Sequence, residues 1–196
     1  MPTQPVRLYV ETNFIMGMVK GQDAYAASLL KTPRARLTIA LPQICLMEAQ
    51  VAFDEELQRR LDFSRQLKQH RDQMQRDKTS THAPFTVASL HQASLDYDES
   101  LNDFRTQPGV VWSALCARCH LLQTPPATAL AAVSTPVVLP RRDHLIWTTM
   151  LAHAGRHTAS ERIVLTNDRQ WQPVVEAAGL RYFARTDAFL GWFNSQ

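Results

Sequence analysis

The sequence predicts an α/β fold with three layers. A mostly parallel central sheet lies between two layers of helices, and a helical insertion is added to this core. Short runs rich in β-branched and aromatic residues alternate with helical patterns near both ends of the chain, which is typical of parallel sheets covered by helices. The middle of the chain shows helical periodicity only. Polar residues directly follow the predicted strands, where α/β proteins commonly bind ligands.

The first part of the chain predicts two strands, each followed by a helix. Residues 8–10 read as a short strand because they carry aromatic and β-branched side chains, and the polar triplet 11–13 follows at once. Residues 23–31 predict a short helix, and residues 37–41 predict the second strand. Pro42 suits the first position of a helix, where its missing N–H costs nothing.

The middle of the chain predicts three helices separated by turn residues. Apolar side chains recur there at roughly helical spacing among Arg, Gln, Asp and Glu. The helices are expected over residues 42–77, 87–104 and 110–123. The triplet Gln107-Pro108-Gly109 is expected to break the second from the third. We therefore expect one domain over residues 1–196 with a helical elaboration at about residues 50–130.

The α/β pattern returns after an apolar connector at residues 136–140. A helix follows Arg141-Arg142-Asp143 and ends near Gly155, because glycine is a common helix terminator. The remaining elements are expected as a strand at 163–165, a helix at 173–178, a strand at 180–183 and a helix at 186–193. This alternation indicates parallel strands joined by helical crossovers.

Composition narrows the class of protein. The chain has 196 residues, of which 45% are hydrophobic and 20% charged, as in an ordinary globular protein. No apolar run approaches the ~18 residues of a membrane helix, and the start lacks a signal-peptide pattern, so we expect a cytoplasmic protein without a membrane partner. Three cysteines fit free thiols, and a net charge of +3 permits a polyanionic partner without requiring one.

Four acidic residues, far apart in sequence, are expected to converge. Glu11 and Asp168 each follow a predicted strand, and Asp143 opens a helix. Glu48 lies on the helix after the second strand among apolar neighbours, where an uncompensated buried charge would be costly. Because ligands bind beyond the carboxyl ends of parallel strands, all four side chains are expected at one edge of the sheet.

Each acid also has an ordinary structural interpretation. Asp143 could favour a helix N-terminus, Asp168 could stabilise a turn, Glu48 could form a solvated ion pair and Glu11 could cap a helix. For any one of them this interpretation is favoured. Four acids together, each at the appropriate end of its own element, favour a shared site.

These residues resemble the motifs of the PIN-domain nuclease family over about residues 6–50 and 137–185. The family has an acid with a nearby Asn or Ser after its first strand, as in Glu11-Thr12-Asn13, and a Glu on the helix after its second strand, as at Glu48. It then has an Asp opening a helix, as at Asp143, and Ser/Thr-x-Asp after the next strand, as in Thr166-Asn167-Asp168. The first acid is usually Asp, so Glu11 is a departure, and the helical region lies outside the resemblance.

The resemblance implies hydrolysis of single-stranded or structured RNA with Mg²⁺ or Mn²⁺. It implies Glu11, Glu48, Asp143 and Asp168 as catalytic acids, and Glu11, Asp143 and Asp168 are expected to hold the metal directly or through water. Asn13 and Thr166 are expected to orient carboxylates or waters. Arg141 and Arg142, beside Asp143, are candidates for gripping a phosphate of the RNA, although surface arginines are common.

Family resemblance also implies partners. A toxin role with an inhibitory protein partner, and a homodimer, are expectations of this kind. The competing interpretation is a PIN-like module that binds nucleic acid or protein with weak or no catalysis, and Glu11 in place of Asp favours it.

Two histidine-containing patterns are interpreted as structural. Cys116-Ala-Arg-Cys119-His120 matches the haem c attachment pattern, but it lies in an apolar helical region of a chain without an export signal. A zinc site from these residues lacks an evident fourth ligand. His153 and His157 lie on either side of Gly155 at a predicted helix end. A structural or incidental role is therefore favoured for both histidines.

Overall fold

The computed structural model describes residues 5–136 and 139–196, and it has the predicted α/β class. Its strands are β1 (Val6–Val10), β2 (Leu37–Pro42), β3 (His120–Leu122), β4 (Glu161–Leu165) and β5 (Arg181–Phe183). They form a sheet in the order β3-β2-β1-β4-β5, and every pairing is parallel. The prediction of a parallel sheet with a helical insertion is confirmed. The connector predicted at 136–140 includes Val137 and Val138, which lie outside the described residues.

Eight helices occur in the described part of the chain. They are α1 (Thr12–Val19), α2 (Ala26–Lys31), α3 (Gln43–Arg76), α4 (Ala83–Arg118), α5 (Pro126–Ser134), α6 (Arg141–Gly155), α7 (Trp171–Ala177) and α8 (Thr186–Asn194). The chain moves one way across the sheet from β1 to β3 and the other way from β3 to β5. Right-handed crossovers therefore assign α1 and α2 to one face of the sheet and α5, α6 and α7 to the other. None of the helices so described is long and apolar enough to cross a bilayer.

The chain divides into two compact units. The first unit, Met1–Gln50 with Val111–Gln196, contains the sheet. Its central strand β1 carries Leu8, Tyr9 and Val10, which expose no surface, because neighbouring strands and helices cover both faces of a parallel sheet. The single domain expected over residues 1–196 stays a prediction.

The second unit, Val51–Val110, is a helical hairpin formed by parts of α3 and α4. The rings of Phe53 and Phe104 lie 5.0 Å apart, and the guanidinium of Arg60 lies 3.9 Å above the Phe104 ring. Toward the other end of the hairpin, Asp98 accepts a hydrogen bond from the Ser64 hydroxyl at 2.7 Å and pairs with Lys68 at 2.8 Å. Residues early in α3 thus contact residues late in α4, as in an antiparallel pair.

Several predicted boundaries are wrong. Helix α4 continues through Pro108, where a break was expected, and it ends at Arg118. A proline inside a helix costs about 3 kcal/mol, but buried apolar residues on both sides, including Phe104 and Val111, favour the continuous helix. Residues predicted as helical beyond Arg118 form strand β3, and helices α1 and α5 were not predicted.

Arg118 joins separate segments of the first unit through backbone carbonyls. Its guanidinium donates hydrogen bonds to the carbonyl oxygens of Leu30, Thr32 and Leu37 at 3.1, 2.8 and 2.9 Å. We expect Arg118→Ala to lower the free energy of unfolding by about 2 to 3 kcal/mol, because three carbonyls lose a charged donor. Urea unfolding monitored by circular dichroism measures this change.

Arg34→Ala is the matched control for Arg118→Ala. Arg34 is exposed and donates to one carbonyl, that of Ala117, so its replacement is expected to cost less than about 1 kcal/mol. Equal losses in the two variants would mean that the three carbonyl bonds of Arg118 contribute nothing specific.

Candidate functional site

The carboxyl ends of β1 and β4 form the point where the strand order reverses. The chain leaves β1 toward β2 but leaves β4 toward β5, and the last residues of the two strands, Val10 and Leu165, are register partners. Glu11 and Thr166 are the next residues after these partners. Ligands of open α/β sheets bind in the crevice at such a reversal.

Glu11 is the N-cap of α1. Its backbone is extended, and its Oε2 accepts a hydrogen bond from the backbone N–H of Asn13 at 2.7 Å. The residue is only 4% exposed, and its Oε1 is buried without a hydrogen-bond partner in the described structure. One oxygen of the carboxyl group, Oε2, therefore caps the helix. The other oxygen, Oε1, has no hydrogen-bond partner among the described residues.

Burial raises the pKa of Glu11 to about 7. The negative charges of Asp143 and Asp168 raise this pKa further, whereas the Asn13 N–H and the Thr166 hydroxyl lower it. Because desolvation outweighs the two hydrogen-bonding groups, the carboxyl group changes its charge close to neutral pH.

Glu48 reaches the site from α3. Its Oε2 accepts a hydrogen bond from the Thr12 hydroxyl at 2.7 Å, while its Oε1 is buried without a partner in the part of the chain that the structure describes. Cys45, one helical turn earlier, is buried near both Glu11 and Glu48. Burial first, and then these two carboxylates, raise the pKa of the thiol well above its usual range. The Cys45 thiol is therefore neutral and acts as packing.

Asp143 and Asp168 are half-buried acids on α6 and on the loop after β4. Burial raises the pKa of Asp143, the charges of Glu48 and Asp168 raise it further, and Arg142 lowers it. Asp168 orders its own loop, since its backbone N–H donates to the Thr166 hydroxyl at 3.1 Å and its Oδ1 accepts from the Gln170 N–H at 2.9 Å. The four predicted acids are thus close enough to influence one another.

The other predicted residues take different positions. Thr166 is buried beside Glu11, whereas the Asn13 side chain is exposed and only its backbone caps the carboxylate. Arg141 and Arg142 are exposed at the start of α6. Their predicted role toward nucleic acid stays a prediction.

Two residues near the acids were missed by the sequence analysis. Thr12 holds Glu48 by a hydrogen bond, and its place between Glu11 and Asn13 in a polar triplet was the available signal. The hydroxyl of Tyr182 donates to the backbone carbonyl of Asp168 at 3.4 Å, and burial together with the charges of Asp168 and Glu11 raises its pKa. No local pattern marked Tyr182, which comes from a neighbouring strand.

The oxygen-rich donor set suits a hard divalent cation. Within residues 5–136 and 139–196 no group of three or more His, Cys, Asp or Glu side chains is positioned to hold a metal ion. Mg²⁺ does not require such a group, because proteins commonly bind it through one or two carboxylates, with waters and substrate phosphate completing the shell. The unsatisfied Oε1 atoms of Glu11 and Glu48 are suitable oxygen donors. The chemistry of these oxygen donors is compatible with Mg²⁺ or Mn²⁺, and a metal ion at this site stays a prediction.

Comparisons with known proteins give a distant structural likeness. No protein-family model and no curated protein matches this chain. A solved structure described as VapBC2 from Rickettsia felis bound to a DNA fragment from their promoter superimposes with a TM-score of 0.47 and 12% sequence identity. The match covers 91% of this chain and 98% of the other. A functional assignment therefore has to come from the residues of the site.

Proposed function

We propose that this protein is a Mg²⁺- or Mn²⁺-dependent endoribonuclease that hydrolyses phosphodiester bonds of RNA. The observation that carries the proposal is the buried Glu11 carboxyl group at the strand-order reversal, with an unsatisfied oxygen and the charges of Asp143 and Asp168 acting on it. A buried acid with a strongly raised pKa among other acids is typical of functional sites.

The roles of the acids follow from their surroundings. Glu11, Asp143 and Asp168 would hold the ion directly or through water, and the Thr12 hydroxyl would keep Glu48 oriented toward them. A bound divalent ion would lower the pKa of a coordinated water and neutralise charge on the phosphate undergoing attack. Thr166 supports the arrangement by contacting the Asp168 loop beside Glu11.

The substrate class is proposed from the resemblance to PIN-domain nucleases and from charge. The exposed Arg141 and Arg142 precede Asp143 at the start of α6, where a helix N-terminus also favours anions. Their guanidinium groups would grip a phosphate beside the acids. Single-stranded or structured RNA is the corresponding substrate.

The biological setting is proposed by resemblance, except for the cytoplasmic location, which is proposed from the sequence pattern. A toxin of a toxin–antitoxin pair, inhibited by a protein partner, is the role we propose for the enzyme, together with a homodimer and a cytoplasmic location. Co-expression with candidate inhibitory proteins tests this part separately from the chemistry.

The enzymatic proposal is tested by cleavage of a mixed, end-labelled RNA in Mn²⁺, in Mg²⁺ and in EDTA. Wild-type protein is expected to cleave with either ion and not in EDTA. Asp143→Asn and Asp168→Asn are each expected to lower the rate about a hundredfold, because a neutral amide binds a divalent ion poorly while water can replace part of a half-exposed ligand. Equal cleavage by wild type and both variants would assign the activity to a contaminant.

A module that binds RNA without cleaving it is the second candidate. It is favoured by Glu11, which stands where the family usually has Asp and uses one carboxylate oxygen, Oε2, to cap α1. Tight RNA binding by fluorescence anisotropy, combined with no cleavage in Mn²⁺, would select this candidate over the enzyme.

A further inference from the structure

A second polar cluster lies on the α6 face of the sheet and extends from Tyr9 toward the amino ends of β1 and β4. We call it the His–Arg cluster, and it comprises residues from three strands and the end of α6. Its members are Arg7, Tyr9, His120, His153, Arg156, His157 and Arg162. It is distinct from the candidate active site, which lies at the carboxyl ends of β1 and β4.

His153 is at the centre of the His–Arg cluster. Tyr9, Ala40 and His120 are register partners across β1, β2 and β3, so they form one row on the sheet. The Tyr9 hydroxyl and His153 Nδ1 are hydrogen-bonded at 2.9 Å, and the His120 ring lies 5.6 Å from the His153 ring. Ala40 has the smallest side chain of the row, which leaves space for the imidazole.

Two arginines, Arg7 and Arg156, act on this imidazole, and Arg162 acts on its partner Tyr9. Arg7 and Arg162 are register partners on β1 and β4 and point to the same face as Tyr9. Nε of Arg7 is buried and has no hydrogen-bond partner in the described residues. Such an unsatisfied donor of a charged group is costly unless a ligand accepts its hydrogen bond.

The cluster is uniformly basic. Positive charges of Arg7 and Arg156, together with His120, act on both His153 and His157, and the rings of these two histidines lie 4.5 Å apart. No Asp or Glu of the described residues figures among the charges acting on either histidine. Like charges gathered on a partly buried face create a local potential that attracts anions.

We propose that the His–Arg cluster is a binding site for a phosphate group, either as the free ion or in a nucleic-acid backbone. Three guanidinium groups offer forked N–H donors that match phosphate oxygens, and the imidazoles add further N–H donors. The buried Nε of Arg7 would donate to one oxygen, and the exposed Arg156 would close over the anion. The site is independent of the proposed catalytic function.

Protonation of the histidines links phosphate binding to pH. Burial and the neighbouring positive charges lower the pKa of His153 to about 4 and also lower that of His157. The groups that act on them are Arg7 and Tyr9 from β1, His120 from β3 and Arg156, which directly follows α6. Arg162 from β4 acts on Tyr9. A bound anion would raise both pKa values, so a phosphate group should bind more tightly as the pH falls through the pKa values of the histidines.

The site is tested by NMR of the histidine ring signals of the full chain, in EDTA and without RNA. The probes are inorganic phosphate and a single-stranded deoxyoligonucleotide, each compared with sodium chloride at equal ionic strength. We expect saturable shifts of the His153 and His157 signals with phosphate. Arg7→Gln and Arg156→Gln are each expected to weaken binding about tenfold.

The controls separate a site from general screening. Arg156 is exposed, so Arg156→Gln keeps the fold even if Arg7→Gln does not, and Arg185→Gln, on the loop before α8, is the matched control that should bind as wild type does. Saturation by phosphate alone identifies a small-anion site, and saturation by the oligonucleotide identifies a backbone site; both support the proposal. The proposal would be overturned if phosphate shifted the histidine signals no more than sodium chloride does. It would also be overturned if both cluster variants bound phosphate as tightly as wild type does.

Discussion

Glu11→Gln is expected to lower Mn²⁺-dependent RNA cleavage about a thousandfold, which corresponds to about 4 kcal/mol of transition-state stabilisation. Glutamine has nearly the same shape as glutamate, and its amide oxygen can still accept the hydrogen bond from the Asn13 N–H that caps α1. The change therefore removes the negative charge while it retains the helix cap. Initial rates of cleavage of an end-labelled RNA at pH 7.5 measure the effect.

The loss is expected to exceed that of the other acids because Glu11 is the most buried of them. Water cannot easily replace a ligand at a position that is 4% exposed. Glu176→Gln is the matched control, since Glu176 is an exposed acid near the end of α7, and it should cleave at the wild-type rate. A Glu11→Gln enzyme with full activity would remove Glu11 from the site.

Glu11→Gln is also expected to stabilise the metal-free protein at neutral pH. The folded state raises the pKa of Glu11 from 4.5 to about 7, so between these values the folded state binds more protons than the unfolded state. The Glu11 contribution to stability therefore falls as the pH rises from about 4.5 to about 7 and is constant above it. The total loss is roughly 3 kcal/mol, which the variant avoids.

Urea unfolding of wild type and variant from pH 5 to pH 8 in EDTA measures this difference. The comparison has to be made between the two proteins, because His153 has a lowered pKa and contributes stability that rises with pH between about 4 and 6.5. Subtracting the two curves cancels the histidine and leaves Glu11 together with its coupling to Asp143 and Asp168. Parallel curves for wild type and Glu11→Gln would contradict the raised pKa.

A divalent metal ion should reverse the loss of stability that the ionised Glu11 causes at neutral pH, and it should do so in wild type but not in Glu11→Gln. Adding Mn²⁺ or Mg²⁺ at pH 7.5 is expected to raise the free energy of unfolding of wild type, because the ion binds the ionised carboxylates of the folded state. Glu11→Gln should respond weakly, and Glu176→Gln should respond as wild type does. A wild-type protein that ignores both ions would count against the metal site.

The sequence was sufficient for the parts of the fold that depend on local pattern. Strands β1, β2 and β4 were found from β-branched and aromatic runs, and α6 from its apolar spacing. Strand β3 was missed because three residues carry too little periodicity, and they follow a long helical pattern. The continuous α4 was missed because proline normally ends a helix, and burial on both sides of Pro108 outweighed that local preference.

Some residues of the candidate site could likewise be found from local sequence features, and others could be found only from the tertiary structure. Glu11, Asp143 and Asp168 could be singled out because strand ends and helix starts are local features, and Glu48 because a charge among apolar neighbours is conspicuous. Their metal-binding and catalytic roles stay predictions. Thr12 and Tyr182 were missed, since hydrogen bonds to residues on other elements leave no periodic signal.

By itself, the sequence determined the α/β class and the parallel sheet, because side-chain periodicity and turn residues encode secondary structure directly, and it singled out four acids as candidates. Only the tertiary structure decided the burial, the neighbours and the pKa values of the side chains in the site. The strand order puts Glu11 beside Thr166, burial raises its pKa to about 7, and α6 brings His153 to Tyr9. Desolvation and charge depend on which elements pack together, and this is information that no single segment contains.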